Sequence, residues 1–273
     1  MKILITGING FIGKNLFHHF SKDHHIIPFF RGDKISNISE VNPDIIIHSA
    51  AEIYKEDRMF DSNIKLTYDI LKASLNLDYK LFIYIGSSSE YGRKYSPFKE
   101  TDFLDPTTLY EATKGCATLL CQAFAKTYKK PIYVIRPFSL YGRYEPEHRL
   151  IPTLVRSAFS GETINLASAS HDFIYIDDFI KGISHLINLD NTKKTWNIIN
   201  FGTGVQHTNI DALRAVEKVT GKKINYKKVE RLREFDSNFW VCNTEYALKE
   251  YGLSFKTSLT EGLRRYVGER KFT

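Results

Sequence analysis

The chain has 273 residues, room for one large α/β domain or a core with a smaller appendage, and its apolar residues (42%) plus 16 glycines reach about 48%, inside the globular range. That composition excludes a disordered chain and a collagen-like repeat. Thirty-eight basic against 31 acidic residues give a net charge of +7, but the basic pairs Lys129-Lys130, Lys193-Lys194, Lys222-Lys223 and Lys227-Lys228 are scattered with no aromatic interleaving, so a solvated surface is expected and no nucleic-acid partner.

In chain order, an apolar run at 2–6 reads as a first strand, and Gly7-Ile8-Asn9-Gly10-Phe11-Ile12-Gly13 follows it and opens a helix at 14–21. In such a turn the first glycine permits the tight bend, the second lets backbone approach a pyrophosphate, and the third lets helix and strand pack closely, with phosphates at the helix N-terminus. A second strand is expected at 25–30, closing on Phe30-Arg31-Gly32-Asp33. The residue there chooses the dinucleotide: an arginine accepts a 2′-phosphate, an acid accepts from a ribose hydroxyl. Arg31 favours NADP(H), while Asp33 leaves NAD(H) open.

Further strands are expected at 44–48, 81–85 and 132–135, with helices at 62–75 and 109–128. Alternation of this kind predicts an α/β fold, a doubly wound parallel sheet with helices on both faces, and the continuous run Ile45-Ile46-Ile47 fits a strand covered on both sides. After Tyr141-Gly142 the pattern changes to a charged turn, a helix from Pro152 and a return strand at 196–200. We therefore expect one domain from 1–142 plus 172–202, and a smaller α/β domain from 143–171 plus 203–273. No run approaches the ~18 apolar residues of a membrane span, and the N-terminus enters Lys2-Ile3-Leu4-Ile5 with no leader, so no membrane partner and a cytoplasmic address are expected. Cys116, Cys121 and Cys242 form no C-x-x-C pair, which fits a reducing compartment and argues against a disulfide framework or a metal site.

Tyr-x-x-x-Lys on a helix sets a phenol and an ammonium one turn apart on one face, and a nearby cation stabilises phenolate, so the tyrosine can serve as acid and base. Three such pairs occur: Tyr68/Lys72, Tyr95/Lys99 and Tyr110/Lys114. Pro97 breaks the second, and Tyr68 is expected in the core with Lys72 on its wet side. Tyr110/Lys114 opens the helix that follows Gly86-Ser87-Ser88-Ser89-Glu90-Tyr91-Gly92, a polar segment at a strand's carboxyl end, where ligands of an open parallel sheet bind. This pair is the catalytic candidate.

The glycine turn, Asn63, the serine segment, Tyr110-x-x-x-Lys114, Arg136-Pro137-Phe138-Ser139-Leu140-Tyr141-Gly142, Asp172-Phe173-Ile174-Tyr175-Ile176-Asp177-Asp178 and Thr257-Ser258-Leu259-x-Glu261-Gly262-Leu263 together resemble the extended short-chain dehydrogenase/reductases, the nucleotide-sugar epimerases, dehydratases and reductases. The resemblance spans essentially the whole chain. It implies a Rossmann-type NAD(P)-binding first domain, a substrate-binding second domain, a nucleotide-diphosphate sugar as substrate and a homodimer. By position it implies Ser87, Tyr110 and Lys114 as catalytic residues, with Lys114 also holding the nicotinamide ribose. Gly7, Asn9, Gly10, Phe11, Ile12, Gly13, Arg31, Ala50, Ala51, Asn63 and Pro137 are implied to line the cofactor. Ser88, Ser89, Ser139, His148, Arg149, Arg233 and Asp236 are implied on the substrate side.

Departures from the family pattern narrow the reaction. Members that eliminate water carry Asp-Glu where Ser88 and Ser89 stand, and GDP-fucose synthases use a Cys at the Ser89 position. Glu90 before Tyr91-Gly92 is similar to the GDP-4-keto-6-deoxymannose reductases. Ser139 replaces a common Asn, and His171 replaces an Arg that helps hold the diphosphate. The expected activity is NADPH-dependent reduction of a 4-keto-6-deoxy nucleotide sugar, with a 4-epimerase as the alternative and a non-catalytic cofactor binder as a minor one.

Overall fold

In the computed structural model of the chain, which describes residues 1–189, 195–230 and 237–270, Ile45, Ile46 and Ile47 are wholly buried. Burial of β-branched residues on alternating sides fits a strand sandwiched between two helical layers. The strands described are β1 (Lys2–Thr6), β2 (His25–Phe29), β3 (Ile45–His48), β4 (Leu81–Ile85), β5 (Ile132–Pro137), β6 (Ser139–Tyr141), β7 (Ile164–Ala167), β8 (Ser170–Tyr175), β9 (Trp196–Phe201), β10 (Gln206–Thr208) and β11 (Tyr226–Val229). The chain divides into two units, the first of Met1–Gly92, Glu100–Pro137 and Gly182–Asn200, the second of Arg93–Lys99, Phe138–Lys181 and Phe201–Thr273.

The first unit is built on a sheet of order β2-β1-β3-β4-β5-β9, and β1 through β5 pair in parallel. From β1 the chain winds outward to β2, then crosses back to lay β3 on β1's other side. The order reverses there, so the carboxyl ends of β1 and β3 mark the crevice that ligands of such sheets occupy. Leu4, Ile46, Phe82, Tyr84, Ile132 and Val134 pack on one face with Ile70, Leu71, Ala117, Cys121 and Phe124. At roughly 1.5–3 kcal/mol for each large apolar side chain buried, this layer fixes the strand ends in place.

The expected helix at 62–75 begins earlier, as Glu56–Met59, and widens into a π-helical turn at Phe60–Lys65 before continuing as Leu66–Ala73. The Thr67 hydroxyl donates to the Asn63 carbonyl at 2.7 Å, while the Leu66 N–H reaches back to Asp61, which accommodates the extra residue in the turn. Helix Leu109–Tyr128 starts as expected, because Thr108 and Glu111 cap each other reciprocally.

The second unit takes in more of the chain than the sequence predicts. Residues 138–142 and 172–181 belong to it, because β6 pairs with β8 in a three-stranded sheet of order β10-β8-β6. Residues 93–99 join it too: Phe98 exchanges main-chain hydrogen bonds with Val241 and Asn243, both at 2.9 Å. β11 and β7 form a separate parallel pair. Among the described residues no helix is long and apolar enough to cross a membrane.

Candidate active site

Gly7 has φ +70°, and a Cβ there would lie 2.6 Å from the Ala50 amide nitrogen at the end of β3. A Cβ on Gly13 would run into the Gly7 carbonyl. The turn therefore brings the end of β1, the residues after β3 and helix Phe11–Phe20 into backbone contact; the close approach at Gly13 is the one the glycine spacing predicts, and that of Gly7 to Ala50 is not. That helix has Gly10 as its N-cap, with no side-chain cap and no acid in its first turn. Its positive end carries no compensating side-chain anion, which fits a pyrophosphate. Asn9 is exposed, Phe11 and Ile12 are half-buried, and Ala50 and Ala51 are accessible beside the turn.

Arg31 is exposed just past the end of β2. Asp33, its competitor, accepts the Phe30 N–H at 2.7 Å and so ties down its own turn. The charge of Arg31 also reaches Glu52. Burial works to raise the Glu52 carboxyl, but the N–H groups of Tyr54, Lys55 and Ile53, with Arg31, hold it below the usual carboxylate value.

A buried chain of hydrogen bonds, not anticipated from the sequence, links these walls to helix Leu109–Tyr128. The Thr67 hydroxyl spends its proton on the Asn63 carbonyl, so it accepts from His48 Nε2 at 2.9 Å. Nδ1 of His48 is then the acceptor, taking the Thr6 hydroxyl proton at 2.6 Å, and Thr6 in turn accepts the Ala50 N–H at 3.1 Å. Beyond Asn63, its side-chain amide donates to the Glu52 carbonyl at 2.9 Å and to Thr113 Oγ1 at 2.9 Å. The Thr113 hydroxyl passes on to the Tyr110 carbonyl at 2.9 Å. Burial, helped by the charge of Lys114, pushes the His48 pKa down to about 3, so the ring stays neutral as this polarity requires. The signal in the sequence is a single polar residue closing the run Ile45-Ile46-Ile47.

Ser87 caps the short helix Ser88–Tyr91. Its Oγ accepts the Ser89 N–H at 3.2 Å and lies 2.7 Å from Ser89 Oγ, while Ser88 is buried in the turn. Tyr110 is half-buried at the start of helix Leu109–Tyr128. Lys114, 2% exposed, donates to the Ile85 carbonyl at 2.7 Å, two residues before Ser87, and lies 4.3 Å from the Tyr84 ring centre. Burial pulls its ammonium down to about 8, against the opposing pull of Glu90 and Cys121. Pro137 is buried at the carboxyl end of β5. The first unit thus carries the glycine turn after β1 and the serine turn after β4, with Asn63 on the π-helical turn and Tyr110 and Lys114 on helix Leu109–Tyr128.

The decoys separate from it. Tyr95 is 90% exposed. Tyr68, expected in the core, is 40% exposed and lies edge-on to Phe124. Its helix is amphipathic, and residue 68 falls between the buried positions Thr67, Ile70 and Leu71 and the solvent side.

The remaining substrate-side candidates belong to the second unit. Ser139 Oγ lies 3.0 Å from His171 Nδ1. His148 is exposed, and Arg149 pairs with Glu145 at 3.3 Å. Burial raises Glu145 to about 7, opposed by Arg149 and by the Gly142 N–H. Arg233 and Asp236 lie outside the described residues. A cleft of about 560 Å³ in this unit, lined by Phe173, His207, Arg214, Lys218 and Phe255 among others, contains none of the candidates.

Comparison with known proteins identifies the fold and the family. Residues 3–202 match the model of the NAD dependent epimerase/dehydratase family. Protein CapI of Staphylococcus aureus is 24% identical, over 98% of this chain and 97% of its own. Among solved structures, the UDP-glucuronic acid 4-epimerase of Bacillus cereus, in complex with UDP-glucuronic acid and NAD, superposes with a TM-score of 0.88 at 24% identity, covering 98% of both chains. The dTDP-glucose 4,6-dehydratase of Bacillus anthracis, in complex with NAD, gives 0.87 at 23% identity, covering 98% of this chain and 96% of its own. These likenesses show the fold: a mixed α/β chain with a parallel Rossmann-type sheet.

Proposed function

The chain belongs to the NAD dependent epimerase/dehydratase family, and from that premise we propose that it is a cytoplasmic enzyme reducing the 4-keto group of a nucleotide-activated 6-deoxy sugar with NADPH. The observation that carries the reading is the Lys114 ammonium held 2.7 Å from the carbonyl of Ile85, two residues before Ser87, and one helical turn from Tyr110. Nicotinamide, when bound, supplies the hydride. Tyr110 gives its phenolic proton to the sugar oxygen as that oxygen gains charge. Ser87 Oγ hydrogen-bonds the same oxygen, and the Lys114 cation favours the phenolate that Tyr110 becomes. Gly7, Gly10 and Gly13 would hold the pyrophosphate, and Arg31 the 2′-phosphate that distinguishes NADPH.

Elimination of water needs an acid and a base beside the catalytic hydroxyl; here Ser88 is buried and Ser89 offers only a hydroxyl. This supports simple hydride transfer. A second reading, a 4-epimerase with retained cofactor, draws support from similar structures described as 4-epimerases holding NAD. We also read the chain as a homodimer, since Phe60, Tyr68 and Leu119 are exposed on neighbouring helices of the first unit, where a second copy would cover them. Mass spectrometry of the purified protein separates the two reactions. A reductase releases its cofactor every turnover and purifies largely empty, whereas stoichiometric nicotinamide carried through purification supports the epimerase.

A further inference from the structure

Arg136 and Glu90 form a wholly internal ion pair, 1% and 0% exposed, with Nε and Oε2 2.9 Å apart. The two carboxylate oxygens have different tasks. Oε1 accepts the Ser87 N–H at 2.8 Å; Oε2 accepts the Thr118 hydroxyl at 2.7 Å as well as Arg136. A Cβ at residue 86 would come within 2.6 Å of Oε1, so Gly86 leaves the space the carboxylate fills. Arg136 is held on its other side, 4.4 Å from the centre of the Tyr91 ring, whose hydroxyl donates to Asn200 at 2.8 Å. Buried ion pairs bring little net stability, because desolvation cancels much of their attraction. A pair built this completely, between the serine turn, β5 and helix Leu109–Tyr128, asks for another role.

The surroundings of Lys114 supply one. Tyr84 from β4 faces it, and burial keeps that phenol protonated. His48 from β3 is neutral, and burial likewise keeps the Cys121 thiol on its own helix protonated. Tyr110 stands one turn away, and Arg136 adds a positive charge behind Glu90. Glu90 is bonded to Thr118, one helical turn on from Lys114, and is the carboxylate whose charge acts on that ammonium.

Resting on the reading of Ser87, Tyr110 and Lys114 given above, we propose that Glu90 is a positioning residue for the reaction: it pins the Ser87 main chain and, through Thr118, sets a negative charge one helical turn from Lys114 in a water-excluded site. Glu90→Gln tests this, because the amide oxygen still accepts from Ser87 while the charge is gone. Removing an anion beside a cation lowers the pH at which the cation loses its proton, so the basic limb of turnover moves toward lower pH. The double variant Glu90→Gln/Arg136→Gln removes both buried charges and guards against loss of folding from an unpaired guanidinium.

The readout is NMR of the full chain labelled at lysine ¹³Cε, with the Lys114 signal assigned by its absence from Lys114→Met. Burial is expected to hold the wild-type midpoint down, at about 8. The proposal expects that midpoint to fall by about one pH unit or more in Glu90→Gln, a tenfold or greater loss of proton affinity, and by less in the double variant, where loss of the Arg136 cation works the other way. An unmoved midpoint in folded Glu90→Gln, or a midpoint in the double variant no lower than that of Arg136→Gln alone, overturns the proposal. The titration needs no substrate, so it also separates the two claims: a midpoint that moves while the basic limb of turnover stays put overturns the catalytic reading on which the positioning role rests.

Discussion

Tyr68 with Lys72 and Tyr110 with Lys114 repeat one spacing on neighbouring helices, and their surroundings are opposite. Lys72 is exposed, its ammonium 5.9 Å from the centre of the Tyr68 ring, and that ring is itself partly in water. Lys114 is buried, bonded to the Ile85 carbonyl and watched by Glu90. Identical residues thus stand in different solvent environments. What separates the two pairs is desolvation of the ammonium and a strand end ready to receive it.

The sharpest way to break this comparison is to remove each phenol. Tyr110→Phe is expected to lower turnover by at least about 10²-fold, the usual weight of a general acid, with cofactor binding intact; Tyr68→Phe leaves the rate at the wild-type value. Steady-state kinetics with parallel cofactor titrations check both. A reversal of the two results would move the site to the other helix.

Next in size is the pH dependence of stability. The folded-state value of Lys114 is about 8, below its ordinary 10.5. Between those values the unfolded chain binds more protons, so this residue makes stability rise with pH across the window, and below about 8 its buried charge is fully opposed to folding. Over 2.5 units the difference is about 3 kcal/mol. Denaturant unfolding of wild type and Lys114→Met from pH 7.5 to 10.5 should show the two curves converging by that order as pH rises. Parallel curves would mean that Lys114 is not desolvated.

A smaller effect is expected at the cofactor. Arg31→Asp exchanges a cation for a carboxylate where the 2′-phosphate would sit, a loss of charge-assisted hydrogen bonds worth about tenfold or more in NADPH affinity, with preference swinging toward NADH. Fluorescence titration of both cofactors into both proteins measures it, and tighter NADH binding by wild type contradicts the assignment of Arg31. Smallest of all, Lys72→Ala should change stability by no more than about 0.5 kcal/mol, as for other surface substitutions.

Much of the first unit is legible in the sequence because its signals are local. The strand at 81–85 and the helix at 109–128 coincide with the observed elements, since a β-rich run and a Thr108/Glu111 cap act within a few residues. The glycine turn is local in the same sense. Tyr110 could be chosen over Tyr68 because the serine segment precedes its helix, although the partial exposure of Tyr68 depends on which stripe of its helix packs inward. The membership of 138–142 and 172–181 in the second unit rests on β6 finding β8, a partner some 30 residues away that no local pattern names. His48 was illegible for a related reason. Its neutral state and its directed bonds arise from Thr6, Thr67 and Asn63, which come together only once β1, β3 and the π-helical turn are assembled.

The central claim, net reduction by hydride and by the Tyr110 proton, is tested most directly by stoichiometry. The enzyme is mixed with a nucleotide 4-keto-6-deoxyhexose while NADPH absorbance and sugar product are followed together. One NADPH consumed for each 4-hydroxyl sugar formed is the predicted result. Interconversion of 4-hydroxyl epimers with no net loss of NADPH would contradict it.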